Sequence, residues 1–417
     1  DNLFLSSILA VDADTGAYRW HYQTTPRDRW DYTATQQITL ADLPLGEDGA
    51  NRRVVMQAPK NGFFYVLDAA DGELISATPF TAQNWTTGQF DENGRPELVE
   101  EAVDLALYAV VPGPTGAHNW HPMAFNPDTG LVYIPVNEIP FFYDKTRNVE
   151  DSKSFWNIGY DAAAGWPVEY PAGTLDAVRD LDGGSLLAWD PVKAEPRWAV
   201  PFPLPLNGGV LSTQAGLVFQ GNKFGEFVAY DAETGERLWA DKLVGNAAAA
   251  PMTYEIDGEQ YLSVLSGWGS VSSLIAGFTY GEAKSKEPAR VITFKLGGDG
   301  DMPAALVDNV VRTPQSPMFG EPDQHQLGMQ RYAESCHFCH GAFAVGGGVV
   351  PDLRWSALAG NEQAWDLVVR EGALEKQGMV SFAGRLSKED TDAIRAYVVQ
   401  QAWLAVANGD ALPPQDG

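Results

Sequence analysis

The chain has 417 residues, of which 45% are hydrophobic, so it is long enough for one large and one small domain with substantial cores. Its 55 acidic and 28 basic residues give a formal net charge of −27, which argues against binding to nucleic acids or to anionic membrane surfaces. No run of 18 apolar residues occurs, so the sequence predicts no membrane-spanning helix.

An internal repeat extends from residue 1 to about residue 296. Each copy reads as a strand, a tight turn with Asp or Asn and Gly, and a second strand. The five copies are centred on Asp12, Asp68, Asn126, Asp190 and Asp231. Their spacings of 56, 58, 64 and 41 residues predict four-stranded β-propeller blades stretched by insertions. Three copies end in a tryptophan that either docks on the backbone of a neighbouring blade or is ordinary core: Trp20, Trp198 and Trp239.

Two segments depart from the repeat. Residues 140–182 are irregular and polar, and they predict an excursion from the propeller face. Residues 297–322 begin with glycines and continue with prolines, which predicts an extended linker. The pattern turns helical from Asp323, and residues 323–417 are expected to form a small all-α domain.

The run Cys336-His337-Phe338-Cys339-His340 predicts covalent attachment of a c-type haem. Two thiols three residues apart on one helical turn can bond both vinyl groups, and His340 then lies under the iron as the proximal ligand. The alternatives are a thioredoxin-like dithiol and half of a zinc site. A zinc site needs a second pair of ligands, and no Cys or His follows His340, so the sequence favours haem.

Met379 is the candidate for the sixth iron ligand, because it is the only methionine after His340. A Met/His pair is usual in electron-transfer haems and raises the reduction potential. The alternative is a methionine that fills a gap in the core. The run from Ser387 to Asp390 has the capping pattern of a helix start, so a closing helix completes the predicted cytochrome c fold.

Five long motifs occupy the propeller region. They are WDYTATQ at 30–36, APKNGFFY at 58–65, GAHNWHP at 116–122, NGGVLST at 207–213 and LSGWG at 265–269. These motifs resemble the quinohaemoprotein alcohol dehydrogenases, which hold pyrroloquinoline quinone and a calcium ion in an eight-bladed propeller followed by a cytochrome c domain. The resemblance covers the whole chain and implies the latter part of such an enzyme: a partial propeller over residues 1–296 and a cytochrome c domain after the linker.

The resemblance also implies a role for individual residues. Asp31 matches the catalytic Asp that takes the proton of the alcohol, and Lys60 matches a basic residue that hydrogen-bonds the quinone oxygens. Cofactor contacts match Asn119, Trp120 and Trp268. By residue type alone, Asp31 reads as a turn aspartate, Lys60 as a surface lysine and Trp268 equally as a blade-core tryptophan.

The position of Thr33 bears on the metal. Relatives that use lanthanides carry an extra Asp two residues after the catalytic one, where this chain has Thr33. With one carboxylate fewer, a divalent calcium ion is expected rather than a trivalent ion. Other metal ligands of the family would lie upstream of Asp1, and five copies are too few for a closed eight-bladed ring, so the sequence is expected to be a fragment or one of two chains.

The function that the resemblance implies is oxidation of a small alcohol to an aldehyde or ketone. Hydride passes to the quinone, and electrons pass singly to haem c and to an external acceptor such as a cupredoxin or another cytochrome. Covalent haem implies an oxidising, exported compartment, so the periplasm is expected, with attachment to a membrane complex left open. This chain alone is expected to show little or no alcohol oxidation.

Two other functions remain as alternatives at this point. The first is an electron-transfer or docking module with a cytochrome c and a non-catalytic propeller. The second is a haem nitrite-type reductase, which is disfavoured because the propeller region lacks the matching haem ligands and its motifs fit the quinone family.

Overall fold

The structure is a computed structural model that describes residues 1–104, 108–143, 183–267, 289–304, 312–346 and 350–409. The described residues up to Pro303 form one compact unit, and those from Ala304 onward form a second. The first unit is built of strands and the second of helices, so the predicted fold class of a β-propeller followed by a small helical domain is confirmed. Within the described part of the chain, no helix combines the length and the apolar character that a membrane span needs.

The strands of the first unit form antiparallel sheets. In chain order they are β1 (Ser7–Val11), β2 (Tyr18–Gln23), β3 (Thr39–Leu43), β4 (Arg52–Gln57), β5 (Phe63–Asp68), β6 (Leu74–Pro79), β7 (Thr86–Phe90), β8 (Pro96–Leu98), β9 (Tyr108–Val110), β10 (Ala124–Asn126), β11 (Leu131–Glu138), β12 (Phe141–Tyr143), β13 (Gly183–Asp190), β14 (Glu195–Phe202), β15 (Val210–Ser212), β16 (Leu217–Gly221), β17 (Glu226–Asp231), β18 (Arg237–Lys242), β19 (Met252–Ile256), β20 (Glu259–Ser266) and β21 (Arg290–Lys295). A short helix, α1 (Glu100–Asp104), follows β8.

Three of the sheets have four strands each, as a propeller blade requires. Their strand orders are β3-β4-β5-β6, β10-β11-β13-β14 and β15-β16-β17-β18. The sheet β19-β20-β21 has three strands, and the pairs β1-β2, β7-β8 and β9-β12 complete the described strands. Buried side chains of successive sheets interleave, because each sheet has two apolar faces: Val66 and Trp189 share one cluster, and Tyr133 and Val228 share the next.

The turns of the repeat form as predicted. In four copies the backbone carbonyl of the central Asp or Asn accepts the N–H of the glycine four residues later. These glycines have left-handed backbone angles: Gly16, Gly72, Gly130 and Gly235. In the copy at Asp190 the corresponding residue is Ala194, with φ 55°. Asp and Asn are used here because the side-chain oxygen also accepts N–H groups two or three residues on.

The structure corrects one part of the repeat. The turns at Asn126 and Asp190 belong to the same four-stranded sheet, between β10 and β11 and between β13 and β14. The five copies therefore do not mark five blades. A local hairpin pattern does not say whether the hairpin is the inner or the outer half of its blade, and this produced the error.

Two of the three tryptophans that end repeats, Trp20 and Trp198, dock on the next repeat, whereas Trp239 is partly exposed and packs edge-on against Phe227 and Phe294. The indole N–H of Trp20 donates to Ala69 O at 3.1 Å, and that of Trp198 donates to Ala232 O at 3.1 Å. A Cβ added at Gly72 would lie 2.5 Å from the Trp20 ring, and the same holds at 2.7 Å for Gly235 and the ring of Trp198. The turn needs glycine for two reasons: the backbone is left-handed there, and a Cβ would collide with the indole ring.

The predicted excursion at 140–182 lies mostly outside the described residues. Its first part forms β12, which pairs with β9. The second half of the predicted linker contacts the helical unit: Trp403 donates its indole N–H to Ser316 O at 2.9 Å, and the Arg395 guanidinium lies 4.3 Å from the Phe319 ring centroid. The domain bounds of 296 and 322 stay a prediction.

The helical unit contains α2 (Pro322–Ser335), α3 (His337–His340), α4 (Glu362–Val369) and α5 (Lys388–Ala407), with short 3-10 turns between them. Helices α2 and α5 cross where a Cβ on Gly328 would come within 2.0 Å of Ala393 O, so only glycine permits this approach. The predicted capping box at Ser387 and Asp390 is present.

Candidate functional site

The first candidate site lies on the loop between β2 and β3. Asp31 has φ 62°, and its side chain is 68% exposed. Lys60, from the turn between β4 and β5, is buried and donates from Nζ to Asp31 O at 2.7 Å and to Asp31 Oδ2 at 3.0 Å. Asp31 and Lys60 are therefore in direct contact, although they are 29 positions apart and were predicted as site residues from separate motifs.

A second loop, residues 111–123, is fastened to the Lys60 turn. Ala117 N donates to Lys60 O at 2.9 Å. Gly116 has φ 81°, and a Cβ there would lie 2.2 Å from Lys60 Cγ, so the two backbones can meet only at a glycine. The buried His118 ring adds a further link, because Nδ1 lies 2.6 Å from Ala58 O and Nε2 lies 2.7 Å from His121 O.

This second loop carries Asn119 and Trp120. Asn119 Nδ2 donates to Thr115 O at 2.8 Å, and its Oδ1 accepts the backbone N–H of Trp120 at 2.8 Å. The Trp120 side chain is 59% exposed and stacks on the buried His121 ring, with centroids 4.5 Å apart and an interplanar angle of 14°. An exposed indole backed by a buried ring offers a flat apolar surface for a planar ligand.

Burial is the main influence on the pKa values of the two histidines of this loop, His118 and His121. It lowers the pKa of His118, against the opposite effect of the two carbonyl contacts. It also lowers the pKa of His121, with a smaller contribution from His118, to about 4. The His121 ring is therefore neutral near pH 7. Among the residues that the structure describes, none forms a hydrogen bond with the buried Nε2 of His121.

The residues present fit part of a quinone and calcium site. Lys60 supplies a cation for an acidic quinone, Trp120 supplies a stacking surface, and Asp31 supplies one carboxylate. Among the described residues, no group of three or more His, Cys, Asp or Glu side chains could hold a metal ion. The described residues thus contribute a single carboxylate at this place, and calcium binding by the chain stays a prediction. Trp268 lies outside the described residues, and the roles of the five predicted residues in the propeller stay predictions.

The second candidate site is the haem motif between α2 and α3. Cys336 ends α2 and is buried, whereas Cys339 lies on α3 and is exposed, and both are free thiols. Burial raises the pKa of the Cys336 thiol to about 12. The two sulfurs lie on one turn, because Cys339 N and His340 N both donate to Cys336 O.

His340 is oriented by a residue that the sequence did not indicate. Its Nδ1 lies 2.9 Å from Pro351 O, and since a carbonyl only accepts, Nδ1 carries the proton. The lone pair of Nε2 is then available for iron. Burial lowers the pKa of His340, which keeps the ring neutral, as a metal ligand must be.

Met379 is half-buried and packs against the cluster that contains Cys336. Its loop is tied to the end of α4 because Ser381 Oγ and Phe382 N donate to the carbonyls of Arg370 and Val369. The methionine is thus in the same core as the attachment cysteine. Its role as the iron ligand stays a prediction, while the residues present fit a covalently bound haem.

Sequence reasoning missed three residues of these sites. Pro351 O orients His340, His118 joins the loops that carry Lys60 and Trp120, and Asp28 organises the loop that carries Asp31. Single proline, histidine and aspartate residues in loops have no distinctive local pattern. His118 lies inside a quoted motif, which was the one available signal.

Comparisons with known proteins agree with a propeller followed by a cytochrome domain. The family described as "Glucose/ethanol/alcohol dehydrogenase, beta-propeller domain" matches residues 1–89 and 81–262. The family described as "Cytochrome C oxidase, cbb3-type, subunit III" matches residues 323–398. These two matches support pyrroloquinoline quinone and haem c as the cofactors, and calcium is typical of the active site in this family.

Individual relatives agree over nearly the whole chain. The quinohemoprotein alcohol dehydrogenase ADH IIB of Pseudomonas putida is 44% identical over 97% of this chain and 57% of its own length. The structure of ADHIIG from Pseudomonas putida HK5 superposes with a TM-score of 0.90 at 42% identity, covering 98% of this chain and 60% of that one. The enzyme from Comamonas testosteroni gives a TM-score of 0.80 at 38% identity, covering 97% and 58%.

The chain thus spans about three fifths of the length of the relatives that it matches. Within that span, the propeller sheets, the Lys60–Asp31 contact and the haem motif occur together in one sequence. The resemblance inferred from the sequence motifs is confirmed. The chain belongs to the glucose/ethanol/alcohol dehydrogenase β-propeller family, with a cytochrome c domain after the propeller, and its relatives are quinohaemoprotein alcohol dehydrogenases.

Proposed function

We propose that the protein to which this chain belongs oxidises alcohols to aldehydes or ketones and passes the electrons through its cytochrome c domain. The observation that carries this proposal is the contact between Lys60 and Asp31, because it places a carboxylate at an exposed edge against a buried cation. When bound, pyrroloquinoline quinone accepts the hydride, and haem c carries the electrons one at a time.

Asp31 is the general base in this proposal. Its carboxylate accepts the hydroxyl proton of the alcohol while the hydride leaves the carbinol carbon. Lys60 Nζ donates to Oδ2 of the carboxylate and to the backbone carbonyl of Asp31. The second carboxylate oxygen, Oδ1, is then left for the substrate. A fixed carboxylate lowers the entropy cost of the reactive arrangement.

Lys60 also supplies positive charge at the place where negative charge develops during hydride transfer. Trp120, which is exposed and stacked on His121, is a surface for the planar quinone, and Asn119 is a contact at its rim. Trp268 is proposed as a further contact. A single carboxylate at Asp31, with Thr33 two residues later, favours calcium over a trivalent ion.

In the cytochrome c domain, Cys336 and Cys339 attach the haem, and His340 and Met379 ligate the iron. The electrons leave to an external acceptor, for which a cupredoxin or another cytochrome is proposed. The relatives are bacterial enzymes and the haem attachment is covalent, so the periplasm is the proposed location. The alternative of a docking module is not favoured, because the chain matches dehydrogenases over 97% of its length.

The test is Asp31→Asn in the complete protein loaded with quinone and calcium. We expect the kcat for alcohol oxidation with a dye acceptor to fall by about 10²-fold to 10⁴-fold, because the amide cannot take the proton. Reduction of the haem by dithionite should be unchanged. A variant that keeps more than roughly a tenth of the kcat would contradict the role of Asp31.

The matched control is Asp42→Asn on β3. Asp42 is also exposed, at 55%, and pairs with a basic residue, since its Oδ2 lies 3.1 Å from Arg53 Nη1. This variant loses a comparable surface ion pair, so it should retain the kcat.

A further inference from the structure

Asp28 is the residue around which the loop that carries Asp31 is folded. Its carboxylate accepts four hydrogen bonds. Trp30 N (2.9 Å) and Tyr32 N (3.2 Å) donate to Oδ1, and Thr33 N (3.1 Å) and Ser6 Oγ (2.7 Å) donate to Oδ2. Three of these donors are backbone groups on both sides of Asp31, so one carboxylate closes the loop around that residue.

The backbone of this loop would not keep its shape unaided. Arg27, Asp31 and Thr33 have φ values of 54°, 62° and 40°, which lie in the left-handed region. Each such residue costs on the order of 1–3 kcal/mol, and it persists only where the surroundings hold it. The bonds to Asp28 hold the amide groups of the residues before and after Asp31, so they oppose relaxation at that residue.

The residues on either side of Asp31 are anchored in the protein interior. The rings of Trp30 and Tyr32 are fully buried, with Trp30 Nε1 donating to Ala102 O at 3.2 Å and the Tyr32 hydroxyl donating to Pro112 O at 2.7 Å. Because the residues on either side point inward, Asp31 projects outward, where it meets Lys60. The loop therefore presents a single carboxylate, and Asp28 holds its curvature.

We propose that Asp28 is a positioning residue for the reaction: it holds the Asp31 carboxylate at the Lys60 ammonium, in reach of the substrate hydroxyl. This inference rests on the proposed role of Asp31 as the base. Proton transfer needs a short distance between heavy atoms, and a displacement of about 1 Å costs roughly 10²-fold in rate.

The experiment compares Asp28→Ala, Asp28→Asn and Asp91→Ala in the complete protein loaded with quinone and calcium. Asp91 is the matched control, because its Oδ1 also organises a turn by accepting two backbone N–H groups, from Asn93 at 2.8 Å and Arg95 at 2.9 Å. We expect Asp28→Ala to lower the kcat about 100-fold with a KM within about threefold of the parent value, because the base is misplaced and not removed. Asp91→Ala should keep both constants.

Amide hydrogen exchange gives a readout that does not depend on activity. In Asp28→Ala, the amides of Trp30, Tyr32 and Thr33 should exchange faster than in the parent protein, because their acceptor is gone. Asp91→Ala should leave them unchanged. Unchanged exchange in Asp28→Ala would overturn the inference, and Asp28→Asn, which keeps one carbonyl oxygen as acceptor, serves if the alanine variant does not fold.

A double-mutant cycle separates this inference from the proposed function. If Asp28 acts through Asp31, Asp28→Ala should lower the kcat little further in the Asp31→Asn background. A loss of equal size in both backgrounds would overturn the positioning role, as would a full kcat in Asp28→Ala when Asp31→Asn is inactive. If Asp31→Asn itself keeps its kcat, the proposed function is wrong and the inference fails with it.

Discussion

The ammonium of Lys60 lies 2.7 Å from the backbone carbonyl of Asp31 and 3.0 Å from its carboxylate. The lysine side chain is 10% exposed and the aspartate side chain is 68% exposed, so the cation is the fixed partner and the carboxylate is the accessible one. Lys60 thus has two tasks in the proposed reaction, holding the base and offering positive charge to the quinone.

Lys60→Met should therefore lower the kcat for alcohol oxidation by about 10²-fold or more, because an oriented cation and the anchor of the base are both lost. Steady-state kinetics of the complete enzyme with a dye acceptor measure this. The control is Lys193→Met, which removes an exposed lysine 3.5 Å from Asp190 and should change the kcat little. Equal kinetics for the two variants would show that Lys60 has no part in the reaction.

The stability of the propeller unit should depend on pH through His121. Its pKa is about 4 in the fold and 6.5 in the unfolded chain, so the unfolded state binds the proton first as the pH falls. The free energy of unfolding should decline between about pH 6.5 and pH 4, by up to about 3 kcal/mol from this residue.

Denaturant titrations of the parent protein and of His121→Gln at several pH values measure this contribution. The glutamine does not titrate, so the difference in unfolding free energy between the two proteins should shift in favour of the variant as the pH falls below 6.5. His118, whose pKa is also lowered by burial, keeps part of the slope in the variant. Parallel curves would contradict the prediction.

Haem is predicted to be attached covalently through Cys336 and Cys339. The denatured protein should keep a haem-stained band on a gel, and colour that passes into acid acetone would contradict attachment. Cys336→Ser should weaken the attachment and stop turnover with an acceptor that depends on haem. Reduction of the quinone by one equivalent of alcohol should persist, because Asp31 and Lys60 are untouched.

Met379→Ala should abolish the absorption band of the sulfur–iron bond in the oxidised protein and lower the reduction potential. The control is Met329→Ala, which removes a buried methionine of the same core from α2. That variant should lose stability but keep the band. A band that survives in Met379→Ala would identify another iron ligand.

Arg331 on α2 pairs with two buried carboxylates, Glu334 of the same helix and Asp390 of α5. Its Nη1 lies 2.6 Å from Glu334, which is fully buried, and its Nε lies 2.8 Å from Asp390. Arg331→Met should destabilise the helical unit by about 3–5 kcal/mol, because both carboxylates lose their counter-charge. Thermal unfolding followed by haem absorbance measures this, and the exposed Lys376→Met should be neutral.

The sequence by itself determined the features that a few consecutive residues specify. The haem motif could be recognised in the sequence because both thiols and the histidine lie on one helical turn. The capping box at Ser387 could be recognised because its partners are three residues apart. The Asp–Gly turns of the repeat were legible for the same reason, since their hydrogen bonds span four residues.

Only the tertiary structure decided which distant groups meet. The hairpins at Asn126 and Asp190 share a sheet, Lys60 reaches Asp31, and Pro351 O orients His340 across loops. Such contacts depend on which strand edges pair and which loops converge at a sheet end. Alternating apolar residues predict which face of a strand is buried but not which strand pairs with it. The partners of Asp31 and His340 therefore follow from the fold and not from the local sequence pattern.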